Sequence, residues 1–502
     1  MADLGLKRAV GQLMVIGLPA GPLTPRRERR FCDLAPAGVI LFRRNAHSVD
    51  AVSETTKRLQ ALAEEGGFSP LLICADEEGG FLSPILGLEN PAPAAMALGT
   101  IGSESVAFEV AREVGSRLRT LGLNLNLAPC LDVNDEIANP VIGPRSFGDD
   151  PALVTRLGVS TVRGLKAGGV AATAKHFPGH GSTTLDSHKM LPVDTRSTEE
   201  IRASSLPPFV SAIEGGVDLV MTAHVAFPSV TGREAEPATF SSRIIEGLLR
   251  NELGFTGPVI TDALEMAAVA GRASSGDAAL RSLGAGADLL LFTGGDEKPW
   301  EARDVLLGAI TDGRLAESRV RESLARIRVL RSQIPGLSLP QGDDLFAGPR
   351  ERGIAVLEDP DGLIPIALDP EESLAVLVPD PGIPEGSVDC DLLERELVSR
   401  HPSIRLIRAR APEAVDPEPF RACDLALVFT LSRGPLDSWQ ERVVIEACES
   451  APKVIVVAAF NPNAFPPPGR SMTRVATYDF SGPATEALVG RLFGRHKGSF
   501  DP

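Results

Sequence analysis

Long hydrophobic runs are missing from this sequence. No apolar stretch approaches the about 20 residues that a membrane-spanning helix requires, so a soluble chain without a membrane partner is expected. Positive charge is in deficit as well. Fifty lysines and arginines face 66 aspartates and glutamates, a formal net charge of −16, and no compact basic stripe overrides it, which excludes nucleic acid as a partner. Cysteine is sparse and unpatterned: Cys32, Cys74, Cys130, Cys390, Cys423 and Cys448 show no CxxC spacing, and Cys74 and Cys130 lie inside apolar, strand-like runs. They read as reduced core residues rather than disulfides or zinc ligands. Tryptophan and tyrosine are scarce, two and one, which argues against a groove that holds a long polymer by ring stacking. The opening segment imitates a signal peptide, with Lys7 and Arg8 ahead of Leu13–Leu18, but Gln12 interrupts it and a helix followed by a strand accounts for it; a cytoplasmic location is expected.

What is present is an average globular composition, 43% hydrophobic and 23% charged, in 502 residues. That is too long for one ordinary domain, and it suits a barrel of roughly 250 residues or more followed by a second unit. Eight β-rich runs recur through the first 300 residues: LMVIGL from Leu13, GVILF from Gly38, LLICA from Leu71, LNLAP from Leu125, ATAKH from Ala172, LVMTAH from Leu219, PVITD from Pro258 and LLLFT from Leu289. Helical stretches such as Ser103–Leu121, Pro151–Ala167 and Thr198–Glu214 alternate with them. The pattern predicts a closed (β/α)8 TIM-type barrel, with an open doubly wound sheet as the alternative. Polar clusters end five of the runs: Asp76-Glu77-Glu78, Asp132-Val133-Asn134, Lys175-His176, Thr222-Ala223-His224 and Thr261-Asp262. Strand ends of a barrel converge on one mouth, where such enzymes carry their chemistry. The barrel is expected over 1–335, ending with a helix at Leu315–Gln333; a Pro/Gly-rich linker over 336–349 leads to a smaller α/β sandwich over 350–502, with runs from Leu374, Asp424 and Lys453 and a helix at Ser438–Cys448.

Two segments carry chemistry. Ala174–Pro192, AKHFPGHGSTTLDSHKMLP, holds three of the seven histidines with Lys175 and Asp186. His176 and His180 have the i, i+4 spacing of helical zinc proteases, but Pro178 and Gly179 break the helix that would align the rings, so no metal site and no cofactor are expected. Asp186 and His188 can meet if Ser187 turns the chain; a carboxylate on an imidazole either equips a proton donor or merely stabilises the loop. In Gly254–Met266, GFTGPVITDALEM, a strand delivers Asp262 to the mouth, where it either caps a helix or attacks an anomeric carbon.

KHFPGHGSTTLDSH and TDALEM, together with NLNLAPCLDVN, NPVIGPRSFGDDP and DEEGG in the same order, resemble glycoside hydrolase family 3, in its β-N-acetylhexosaminidase branch. The resemblance runs through to YDFSGPATEALVGRLFG near the end. It implies a retaining hydrolase that removes terminal β-linked N-acetylglucosamine from a small carbohydrate such as a cell-wall muropeptide fragment. On that basis Asp262 is the nucleophile, His188 supported by Asp186 is the acid/base, and Asp76, Arg145, Lys175 and His176 occupy the sugar-binding positions, Lys175 and Arg145 also keeping Asp262 ionised. The chain departs from the family after DEEGG, where Phe81-Leu82-Ser83-Pro84 replaces the usual Arg-Val. Trp300, after the eighth run, is a candidate platform for the leaving group. Two other readings stand beside hydrolysis: a phosphorylase using the same residues, and a catalytically silent sugar-binding protein.

Overall fold

The computed structural model describes residues 2–68, 70–294, 297–334, 345–369, 371–379, 390–401, 403–411, 415–432, 434–466 and 471–494. Eight strands, β1 (Met14–Gly17), β2 (Gly38–Ile40), β3 (Leu72–Ala75), β4 (Leu125–Asn126), β5 (Ala171–Phe177), β6 (Leu219–Thr222), β7 (Val259–Thr261) and β8 (Leu290–Phe292), pair in parallel in the order β7-β6-β5-β4-β3-β2-β1-β8. The Thr261 N–H donates to the Leu289 carbonyl at 3.0 Å and Ile260 bridges Leu289, so β7 returns to β8. This closure decides for the barrel over the open sheet. All the strand residues are buried, because the lumen is filled on one side and helices cover the other; that is why these strands read as continuous apolar runs rather than alternating ones.

The surrounding helices start where small polar residues can cap them. Ser103 accepts from the Val106 N–H ahead of Glu104–Thr120, and Asp150 accepts from Ala152 ahead of Pro151–Ala167. The expected helix over Thr198–Glu214 is two, Thr198–Ser204 and Pro207–Glu214. Pro207 and Pro208 have no N–H to give to the preceding turn, so a new helix must begin there.

A second sheet contains β9 (Ala355–Glu358), β10 (Leu374–Pro379), β11 (Ile404–Ala409), β12 (Leu425–Ser432), β13 (Val454–Phe460) and β14 (Thr473–Thr477), in the order β11-β10-β12-β13-β14-β9. Only β9 runs antiparallel, against β14. Successive side chains face opposite layers. Val376, Leu427, Phe429 and Val457 pack with Leu393, Leu397 and Leu488, while Ala375, Leu377, Ala426 and Val428 pack with Trp439 and Val443. This is the expected α/β sandwich.

Most of the expected linker over 336–349 lies outside the described residues. Its end is no spacer: Phe346 is fully buried in the barrel core, and Arg350, on the helix Ala347–Arg352, donates to the Pro91 carbonyl at 2.6 Å. The two units meet along the loop after β3. Phe81 packs edge-on against Phe460, ring centroids 5.5 Å apart, and Ala94, Met96 and Ala97 pack on Ala476 and Tyr478.

Candidate active site

Asp262 follows β7 directly, and its Oδ1 accepts the Ala263 N–H at 2.7 Å. The next helix starts only at Ala267, with Met266 at its cap, so Asp262 caps nothing. Its carboxyl is free for other work. Burial pushes its pKa up, but the His224 and His176 imidazoles, the Ala263 N–H and His188 outweigh burial and hold it at about 2. The carboxylate therefore stays ionised at any ordinary pH. The groups responsible are imidazoles, not Lys175 and Arg145 as expected, because those two cations are committed elsewhere. His224 itself is buried after β6; its Nε2–H donates to the Ala263 carbonyl at 2.9 Å and its Nδ1 meets Thr239 Oγ1 at 2.8 Å, which fixes the ring beneath the Asp262 turn.

Lys175 and Arg145 converge on Glu78. Lys175 Nζ lies 2.7 Å from Asp76 Oδ1 and 2.5 Å from Glu78 Oε1, and Arg145 grips both Glu78 oxygens, at 2.8 and 2.9 Å. Arg145 also reaches His176 Nε2 at 3.2 Å. Four of the residues expected at the sugar site, Asp76, Lys175, Arg145 and His176, thus form one hydrogen-bonded chain with Glu78 at its centre. Burial works to raise the Glu78 pKa, yet the two cations pull it down to about 2; despite desolvation, Asp76 and then Glu78 lift Lys175, and Glu78 lifts Arg145, above their ordinary values. Glu78 lies within DEEGG, and the sequence pattern by itself assigns it no role. Asp76 and Glu78 lie two residues apart past a strand end, the spacing that puts two side chains on one side of an extended chain.

Asp132, after β4, is the second hub. It accepts His176 Nδ1–H at 2.7 Å, the His180 N–H at 2.7 Å and the Cys130 thiol at 3.1 Å. Burial opposes its ionisation, and the imidazoles and these donors hold its pKa well below the carboxylate range. With Nδ1–H given to Asp132, His176 offers Nε2 to the Arg145 side. Cys130, Asp132 and His176 bring ligand atoms within 4.8 Å of one another. Their donors and acceptors already satisfy one another beside the Arg145 guanidinium, so the trio reads as a brace for His176, not a cation site. His180 does not join His176 either: its ring points to Thr183 and Ser187, with centroids 6.0 Å from the His176 ring.

Asp186 and His188 do meet. Asp186 Oδ1 accepts the His188 backbone N–H at 2.8 Å and contacts Nδ1 at 3.0 Å, leaving Nε2 unencumbered by that contact. The His188 side chain is 63% exposed, so the imidazole sits at the rim. Its loop is tied to the nucleophile's segment, since the Ala268 N–H donates to the Ser187 carbonyl at 3.2 Å.

Trp300 and Phe81 both have partners in the structure. The Trp300 ring carries the Arg30 guanidinium over its face, 4.1 Å from the centroid, and lines a cleft with Leu18, Pro19 and Phe31. That cation covers one face of the ring. Phe81 faces the second sheet's core instead of the mouth.

The model of the glycosyl hydrolase family 3 N-terminal domain matches residues 6–330. A β-hexosaminidase A of Pseudoalteromonas piscicida is 31% identical over 416 residues, 76% of this chain and 68% of that protein. Among solved structures, a family 3 β-N-acetylglucosaminidase from Paenibacillus sp. str. FPU-7 is 35% identical with a TM-score of 0.86, covering 97% of this chain and 96% of its own. A fungal multi-domain family 3 β-N-acetylglucosaminidase is 31% identical with a TM-score of 0.90; 97% of this chain aligns, spanning 59% of the fungal chain.

Proposed function

Since the chain belongs to glycosyl hydrolase family 3, we propose that it is a retaining β-N-acetylhexosaminidase that releases terminal β-linked N-acetylglucosamine from small glycosides through a covalent glycosyl-enzyme. The observation that carries the reading is an anionic Asp262 at the barrel mouth, tied through Ala268 and Ser187 to a loop that presents a hydrogen-bonded Asp186/His188 pair.

In the first step Asp262 attacks the anomeric carbon, and His188 gives its Nε2 proton to the departing oxygen. Asp186 holds Nδ1–H, so the shuttling proton resides on Nε2. In the second step the same Nε2 takes a proton from water, which attacks the anomeric carbon and frees Asp262. Asp76 accepts from sugar hydroxyls, and Lys175, Arg145 and His176 supply the polar wall that Glu78 and Asp132 hold in place. A small substrate such as a muropeptide fragment fits the scarcity of tryptophan and tyrosine, two and one in the chain, and the hydrogen-bonded mouth.

The test is a 5-fluoro N-acetylglucosaminyl fluoride inactivator followed by peptide mapping. The label is expected on Asp262, together with turnover of an aryl N-acetyl-β-glucosaminide. Sugar binding without turnover points to the silent protein, and sugar 1-phosphate formed in phosphate buffer points to the phosphorylase.

A further inference from the structure

The Asp186/His188 pair sits on an exposed loop, yet the residue between the two is 1% exposed. That residue, Ser187, is held from two sides. Its Oγ lies 2.9 Å from His180 Nε2, and its carbonyl accepts the Ala268 N–H from the segment that follows Asp262. His180 is itself immobilised: its N–H donates to Asp132 Oδ1 at 2.7 Å, its carbonyl accepts Asn139 Nδ2–H at 2.8 Å, and its Nδ1 meets Thr183 Oγ1 at 3.0 Å.

The hydrogen bonds settle the tautomer. The Thr183 hydroxyl donates to the His180 carbonyl at 3.1 Å, so its oxygen is the acceptor for His180 Nδ1–H. Nε2 then carries the lone pair, and the Ser187 hydroxyl donates to it. Burial lowers the His180 pKa to about 4, which keeps this lone pair at neutral pH. A neutral, buried ring without access to solvent has no proton-transfer task at the mouth. Its one outward-directed contact is Ser187.

Resting on the acid/base assignment above, we propose that Ser187 and His180 are positioning residues: the Ser187 hydroxyl, locked onto His180 Nε2, sets the place of His188 relative to Asp262. The chain of contacts runs from Asp132 through His180 to Ser187, and from Ser187 through Ala268 to the turn carrying Asp262. Both catalytic groups are thereby referenced to one buried point. A loop otherwise free to sample many positions spends more of its time with Nε2 where the departing oxygen will be.

The experiment compares Ser187→Ala, His180→Gln and His188→Ala by kcat/KM on two substrates, an activated aryl glycoside and a disaccharide, alongside the melting temperature. A misplaced proton donor matters for the poor leaving group and little for the good one. Ser187→Ala should cost the disaccharide on the order of tenfold more than the aryl glycoside, through kcat and not KM, with a melting temperature lowered by the lost buried hydrogen bond but still above the assay temperature, and Ser187→Thr, which restores the hydroxyl, should recover most of the loss. His180→Gln should reproduce the split if Ser187→Ala does not fold. Equal losses on both substrates in Ser187→Ala, with the split still present in His188→Ala, overturn the positioning role alone. Absence of the split in His188→Ala overturns the acid/base assignment itself.

Discussion

At the scale of single residues, the site separates groups that do chemistry from groups that hold them. Asp262→Asn replaces an anionic nucleophile with a near-isosteric amide and is expected to reduce kcat by at least about four orders of magnitude while leaving the melting temperature nearly unchanged. Steady-state rates and a thermal scan check this, and wild-type turnover in the variant would remove Asp262 from the mechanism. Because Asp262 is held at about 2, the acid limb of the kcat/KM profile should belong to another group, and it should not coincide with an ordinary carboxylate titration of the nucleophile. Glu78→Gln tests the other half of the site. It leaves Lys175 and Arg145 without the charge that both were paired to, so it should raise KM and lower kcat/KM by about 10–100-fold. A variant with wild-type KM would show that the cation chain does not shape the sugar site.

At the scale of elements, two carboxyls are tied to the framework with opposite consequences. Asp288, buried just ahead of β8 at the end of the barrel away from the mouth, accepts from Arg250, Arg319, Arg326, Ser323 and the Val259 N–H. Removing it strands three cations, and Asp288→Ala should cost about 3–5 kcal/mol by denaturant titration. Desolvation opposes its ionisation, but the arginines lower its pKa; its contribution is present above the unfolded carboxylate value and is lost as pH falls through the lower folded one. Glu77, in the loop after β3, accepts from Ser83 Oγ and from the Ile85 and Leu86 N–H groups, yet burial pushes it up to about 7. The sign is reversed here. The folded state binds this proton more tightly than the unfolded chain, so stability is lost as pH rises from the ordinary carboxyl range through about 7. Glu77→Gln, with Ser83 turning its lone pair to the amide, should remove that part of the pH dependence. Melting temperatures of both proteins across this range decide it; parallel curves would refute the assignment.

At the scale of the whole molecule, the second unit is fastened to the wall of the mouth. Phe81 leaves the loop carrying Asp76, Glu77 and Glu78 to pack among the second sheet's core residues, and Gly80 beside it has φ +56 with Ala94 so close that a Cβ would fall 2.7 Å from its methyl. Phe81→Ala should cost about 1–3 kcal/mol for a half-buried ring and separate the unfolding of the two units into distinct calorimetric transitions. A single transition at the wild-type temperature would mean that the ring does not couple them. Phe81, the first residue of the departure from the family's sequence, is thus a contact between the two units.

The eight barrel strands, Asp262, and the Asp186/His188 pair were legible in the sequence because their signals are local: apolar runs closed by polar residues, and partners two positions apart. Three strands of the second sheet were not. In β11, arginines at 405 and 408 interrupt the apolar run, and its burial is partial; β9 and β14 are short strands whose register is set by neighbours distant in sequence. The roles of Glu78, Asp132 and His224 were also hidden, because each is defined by a partner distant in sequence: Glu78 by Arg145, 67 positions away, Asp132 by His176, 44 away, and His224 by Ala263, 39 away. Sequence alone decided which side chains stand at the strand ends and what chemistry they can perform. Only barrel closure decided which of them touch, and a pKa or a tautomer is a property of contacts: it is set by burial and by charges a few ångströms away, distances that separation along the chain does not encode.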